Sequence, residues 1–147
     1  MNETHTFLIE GAYFSSTKKT IGNKCFPSLN DLINSAIRSQ NEYDNLKKKF
    51  QRIAYNSIRR DLKGWKPKGR VRLHFEYGEP KDGHYRDYDN VAAGAKKIII
   101  DALGSSKNQQ WVTKTIIDDK PKYLDASVDR FVYTDGTPYI KVTIEEL

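Results

Sequence analysis

Val71-Arg72-Leu73-His74-Phe75-Glu76-Tyr77 alternates apolar and polar residues without a break, the period-two signature of a strand with one buried face. Gly78 to Arg86 then reads as a polar loop. Beyond it, Val91, Ala95, Ile98 and Ala102 recur at helical spacing and Gly104 follows, which predicts a helix over Asn90 to Leu103 with a glycine stop. Upstream, Leu32, Ile33, Ala36, Ile37, Tyr43, Leu46, Phe50, Ile53, Ala54 and Ile58 also keep a spacing of three and four. They predict one long helix over 30–62, or two with a break near Asn41, started by Ser28 and Asp31 and ended by Gly64 and Pro67. Thr6 to Glu10 reads as a first strand, 15–27 as a polar loop and 104–115 as a loop around Trp111. Val128 to Tyr133 and Tyr139 to Ile144 flank Asp135-Gly136, a hairpin signal. The order β-α-β-α-β-β predicts an α+β single domain, a mixed sheet packed with two main helices.

Composition narrows the function classes. The chain has 147 residues, 25 Lys+Arg against 19 Asp+Glu, a formal charge of +6 and a pI near 9.3. With 37% hydrophobic and 30% charged residues it is too apolar for wholesale disorder and too polar for a membrane protein. Cys25 is single, which excludes an internal disulfide framework and an all-cysteine zinc site. Met1 to Phe14 has neither a basic start nor a small-residue cleavage site, which predicts a cytoplasmic protein with no secretory signal. Residues 1–70 hold 14 basic and 6 acidic groups, whereas 71–147 hold 11 and 13. A basic half joined to clustered carboxylates points to a polyanion partner, and nucleic acid fits better than a membrane surface.

The carboxylates concentrate in Tyr85-Arg86-Asp87-Tyr88-Asp89-Asn90 and in Ile116-Ile117-Asp118-Asp119. Two acids two residues apart, just before a helix, can aim at one small volume, the arrangement by which hard divalent cations are held together with water and phosphate oxygens. Adjacent acids repel, and a cation relieves that repulsion. Arg86 precedes the first pair, and Lys96 and Lys97 follow it. A carboxylate cluster inside a basic field is what a metal-dependent nuclease needs.

Arg86-Asp87-Tyr88-Asp89-Asn90, a helix holding Lys97 and Asp101-Ala102-Leu103, and then Asp118-Asp119 resemble the RusA family of Holliday-junction resolvases of phages and prophages, whose pattern runs R-D-x-D-N, a lysine, D-A-L and D-D. Phe26-Pro27-Ser28-Leu29-Asn30 is similar to the family's early proline-serine-asparagine loop, and the likeness extends loosely to the final hairpin. The resemblance implies a Mg²⁺-dependent endonuclease, with Mn²⁺ able to substitute. It implies a homodimer that cuts two opposed strands of a four-way DNA junction in the bacterial cytoplasm. Carried over by position, Asp87 and Asp89 are metal-binding catalytic acids and Asp119 is the third, with Asp118 as second choice. The family lysine lies one turn after the second aspartate, where this chain has Ala93. Lys97 keeps the spacing to Asp101 and is the first choice for the catalytic lysine. Lys96, only about 20° around the helix from Asp89 against about 80° for Lys97, is the second.

Arg86 and Lys96, together with Lys47, Lys48 and Lys49 on the long helix, are expected to contact DNA phosphates. Tyr85 and Tyr88 are the better-placed stacking candidates among the tyrosines. His5, His74 and His84 lack metal-ligand spacing. Three alternatives stand beside the resolvase: a non-catalytic protein that grips branched DNA, a nuclease for other branched or single-stranded DNA, and an interaction protein whose acids only satisfy backbone donors.

Overall fold

The computed structural model describes residues 2–12, 26–80, 88–117 and 120–147, with the backbone alone for 80 and 88–91. Its elements are β1 (Thr4–Glu10), α1 (Leu29–Arg38), α2 (Gln40–Leu62), β2 (Val71–Pro80), α3 (Tyr88–Leu103), β3 (Leu124–Thr134) and β4 (Tyr139–Glu146). The expected α+β class holds, with three helices on a four-stranded mixed sheet. The long helical pattern is two helices. Ser39 is extended, and its N–H bonds Ser35 to end α1 while its hydroxyl accepts from Glu42 N–H to begin α2. α1 starts on a capping box, in which Ser28 Oγ accepts from Asp31 N–H and the Asp31 carboxylate accepts from Ser28 N–H. Lys63, in the left-handed region, and Gly64 end α2.

The sheet order is β1-β4-β2-β3. β1 pairs antiparallel with β4, β4 antiparallel with β2, and β2 parallel with β3. The expected terminal hairpin is therefore absent. The strands on either side of Asp135-Gly136 exist but are not partners, because β2 lies between them. Burial explains this. Ile140, Val142 and Ile144 of β4 are fully buried, while β3 has no buried position. The more apolar strand takes an interior place, and the strand carrying Asp125, Asp129 and Arg130 takes the edge. The Tyr139 ring lies over Gly78, where a Cβ would come within 2.3 Å of it, and its hydroxyl donates to Glu76.

One core lies between the helices and one sheet face. Phe7 and Ile9, Leu73, Phe75 and Tyr77, and Ile140, Val142 and Ile144 meet Phe50, Ala54 and Ile58 of α2 and Ala95, Ile98, Ile99 and Ala102 of α3. The opposite face carries polar pairs such as Thr6 with Thr143 and His74 with Glu145. The edge strand β1 is clamped by the end of α2: Leu8 N–H donates to Asp61 at 2.8 Å, and Arg60 donates to Leu8 C=O at 2.7 Å. Edge groups covered in this way are unavailable to another chain. Hydrogen bonds from Arg60, then from Leu8 N–H, hold the Asp61 carboxyl below the usual range.

Gly94 brings α3 against the chain that enters α1, since a Cβ there would lie 2.3 Å from Pro27 O. In an open helix Gly→Ala gains about 1 kcal/mol. Gly94→Ala should instead lose about 1–3 kcal/mol in urea unfolding, and a stabilised variant would refute the close approach. Because the folded Asp61 pKa is depressed, its contribution is complete above the unfolded value of about 3.9 and fades as pH falls through the folded value. Asp61→Asn should be less stable than the parent at pH 7, with the gap narrowing below about pH 4. A gap independent of pH would remove the charge from the account.

Candidate functional site

α3 connects the neighbouring parallel strands β2 and β3 and runs antiparallel to them, so its first turn lies towards the carboxyl end of β2. Asp89 sits in that turn, where the backbone alone is described. Arg86, Asp87, Asp118 and Asp119 lie outside the described residues, as do His84, Tyr85 and Cys25. The residues flanking Asp118-Asp119 are anchored elsewhere. Ile116 N–H donates to Leu103 C=O at 2.9 Å, Arg70 Nε donates to Pro121 C=O at 2.8 Å, and Val71 N–H donates to Tyr123 C=O at 2.9 Å. These contacts belong to the last turn of α3 and the first residue of β2. Residues 89 and 103 are separated by about 21 Å of helix rise.

The middle of α3 makes a polar contact with the two parallel strands. Lys96 Nζ donates to Asp129 Oδ2 at 2.8 Å and to Ser127 Oγ at 3.3 Å. Tyr77 Oη donates to Asp129 Oδ1 at 2.9 Å, and its fully buried ring stacks on Phe131 with centroids 4.6 Å apart. Glu79, two residues on and on the same face of β2, is also buried, at 3% exposure. The sequence reading missed both carboxylates. For Glu79 the signal existed, because the alternation of Val71, Leu73, Phe75 and Tyr77 continues to it once β2 is carried to Pro80. Asp129 becomes visible only when β3 is known to lie beside β2.

The expected lysines separate. Lys96 is committed to Asp129. The Lys97 side chain is 49% exposed and stands 3.8 Å from Asp101. Lys47, expected to contact DNA phosphates, turns to α3 and pairs with the same carboxylate at 2.6 Å, with only 15% of its side chain exposed. The Asp101 of the D-A-L stretch thus ties α2 to α3. Lys48 and Lys49 are exposed. His74 bonds Glu145 at 2.9 Å, and Asn2, then His74, hold that carboxyl below its usual range. His5 stacks on Trp65 and bonds Glu3, which lowers the Glu3 carboxyl. Among the described residues no three His, Cys, Asp or Glu side chains form a metal-holding group, and no helix is long and apolar enough to cross a membrane. Comparison with protein-family models and with curated proteins finds no match to the chain.

Asp129 is mostly buried, with a side-chain exposure of 10%, so removing the Lys96 ammonium takes away a charge-assisted hydrogen bond in a poorly solvated place. Lys96→Met should lower the unfolding free energy by about 1–3 kcal/mol. Lys97→Met, at a half-exposed pair, should change it by less than about 0.5 kcal/mol. Urea unfolding of the two variants checks this, and equal effects would contradict the assignment.

Proposed function

We propose that the chain is a divalent-metal endodeoxyribonuclease that resolves four-way DNA junctions as a homodimer, like the RusA family it resembles. The observation that carries the proposal is topological. Tyr88-Asp89-Asn90 open the helix joining two neighbouring parallel strands, and ligands of open α/β sheets bind at the carboxyl ends of such strands. The basic half of the chain supports a polyanionic substrate.

Carboxylates are hard oxygen donors, the ligand type Mg²⁺ takes. Asp87 and Asp89 would hold the ion, which supplies Lewis-acid stabilisation of charge on the scissile phosphate. Arg86 and Lys97 bind non-bridging phosphate oxygens and hold the strand in register. Lys97 suits that role better than Lys96, whose charge is already met by Asp129. The flanks of Asp119 are tied to the far end of α3 from Asp89. In this proposal Asp119 therefore completes the acid set from the second subunit, which also gives a junction two sites related by a twofold axis.

Asp89→Asn should abolish Mg²⁺-dependent nicking of a synthetic four-way junction, by about a hundredfold or more. Its affinity for the junction in EDTA should be equal or higher, because a negative charge facing phosphate is lost. Normal cutting by that variant would refute the site. If Asp119 acts across the dimer, mixing Asp89→Asn with Asp119→Asn protein restores one intact site per heterodimer and nicks one strand. An inert mixture of two variants that exchange subunits would return Asp119 to its own subunit's site. The Lys96–Asp129 pair also favours a second reading, a protein that grips branched DNA without cutting. Tight junction binding with no metal-dependent nick in the parent protein would establish it.

A further inference from the structure

We infer that the face formed by α2 and the segment after α3 is a binding groove for an unpaired polynucleotide strand, separate from the acids at the start of α3. Arg52, Tyr55, Arg59 and Lys63 follow one another at spacings of three and four along α2, a run of about 16 Å on one side of the helix. The segment after α3 is fastened beside them. The buried Gln51 amide donates to Trp111 C=O at 2.9 Å and to Gln109 Oε1 at 2.8 Å, and Thr113 N–H donates to Ala102 C=O at 2.8 Å.

This fastening sets aromatic rings between cations. The Trp111 and Tyr55 rings meet edge to face at 5.4 Å. The Arg52 guanidinium lies 5.1 Å over Trp111, and the Arg59 guanidinium lies 5.6 Å over Tyr55 and donates to its hydroxyl. Beyond Tyr55 the row opens into a cleft of about 400 Å³ lined by Arg59, Lys63, Trp65, Lys66 and Thr113. Among the described residues, no carboxylate forms an ion pair with Arg52, Arg59, Lys63 or Lys66. Arg60, by contrast, is taken up by Asp61 and Leu8. The two neighbours therefore divide, one to the fold and one to the surface.

Cations without an ion-pair partner would by themselves serve any polyanion. The interleaved rings select among them. Bases of an unpaired strand stack on aromatic faces and on guanidinium planes while the phosphates meet the cations. A duplex keeps its bases stacked internally and offers this face only phosphates, and an acidic peptide has no base faces to offer. The groove lies beside Ala102 at the far end of α3 from Asp89. A chain that binds without cutting would use it equally, so it does not rest on the nuclease proposal.

Fluorescence anisotropy in EDTA, with a labelled dT20 strand, a 20-base-pair duplex and poly-glutamate as competitor, tests this on the full chain. We expect dT20 to bind more tightly than the duplex and to resist poly-glutamate. Tyr55→Ala and Trp111→Ala should each weaken dT20 binding about tenfold or more, while Tyr55→Phe keeps it. Arg52→Gln and Arg59→Gln, at exposed positions that leave the core intact, should each flatten the salt dependence by about one ion. Because binding is read in EDTA, where no metal-dependent cutting occurs, its outcome is separate from success or failure of the nuclease site. Equal affinity for strand and duplex, displacement by poly-glutamate at matched charge, or unchanged binding in folded Tyr55→Ala and Trp111→Ala proteins would each overturn the inference.

Discussion

The burial of Ile140, Val142 and Ile144 under the helices decides where everything else goes. Placing β4 between β1 and β2 removes three apolar side chains from water on the helical face, at about 1.5–3 kcal/mol each. The same step denies β3 an interior place and leaves it parallel to β2 at the edge, which makes β2, α3 and β3 a crossover unit. α3 must then return along the pair of strands, so its first and last turns lie at opposite ends of the sheet. The positions of Asp89 and of the residues around Asp118-Asp119 follow from that return path.

A polar contact sits inside this unit where an apolar one would hold as well. Replacing a buried ion pair by well-packed apolar groups is often neutral or stabilising, so stability alone does not account for Lys96, Asp129 and Tyr77. Their geometry constrains the rotation of α3 about its axis. Lys96 reaches Asp129 only with one face of the helix on β3, and that face is related to Asp89 by about 20°. The pair thus fixes the rotation of α3 about its axis, a positioning effect that apolar packing would supply less sharply. Asp101 does similar work lower on the helix, drawing Lys47 out of the basic run and fixing α2 against α3.

The sequence was legible where one period dominated. The alternation of β2, the helical stripes of α2 and α3, and the Ser28–Asp31 start all depend on contacts within a few residues, and each is present. Pairing of β4 was not legible from the Asp135-Gly136 turn, because a turn dipeptide reports local chain reversal whereas strand order depends on the relative burial of all four strands. The better clue lay in the strands themselves, in three aliphatic residues against a strand rich in acids. Likewise, Lys47 could not be told from Lys48 by composition. One residue of helix rotation, about 100°, separates a helix–helix ion pair from an exposed cation. The aromatic row escaped the sequence for a different reason: Tyr55 and Trp111 are far apart in the chain and meet because Gln51 and Ala102 fasten the segment after α3 beside α2.

The two proposed regions occupy opposite ends of α3, and this has an electrostatic consequence. Carboxylates that gather a divalent cation raise local negative charge, which repels a phosphodiester until the cation is bound. A groove of cations about one helix length from Asp89 lies beyond a Debye length of about 8–10 Å in physiological salt, so the Asp89 carboxylate does not cancel its field. Attraction of the strand and retention of the ion can therefore be tuned separately on one small domain.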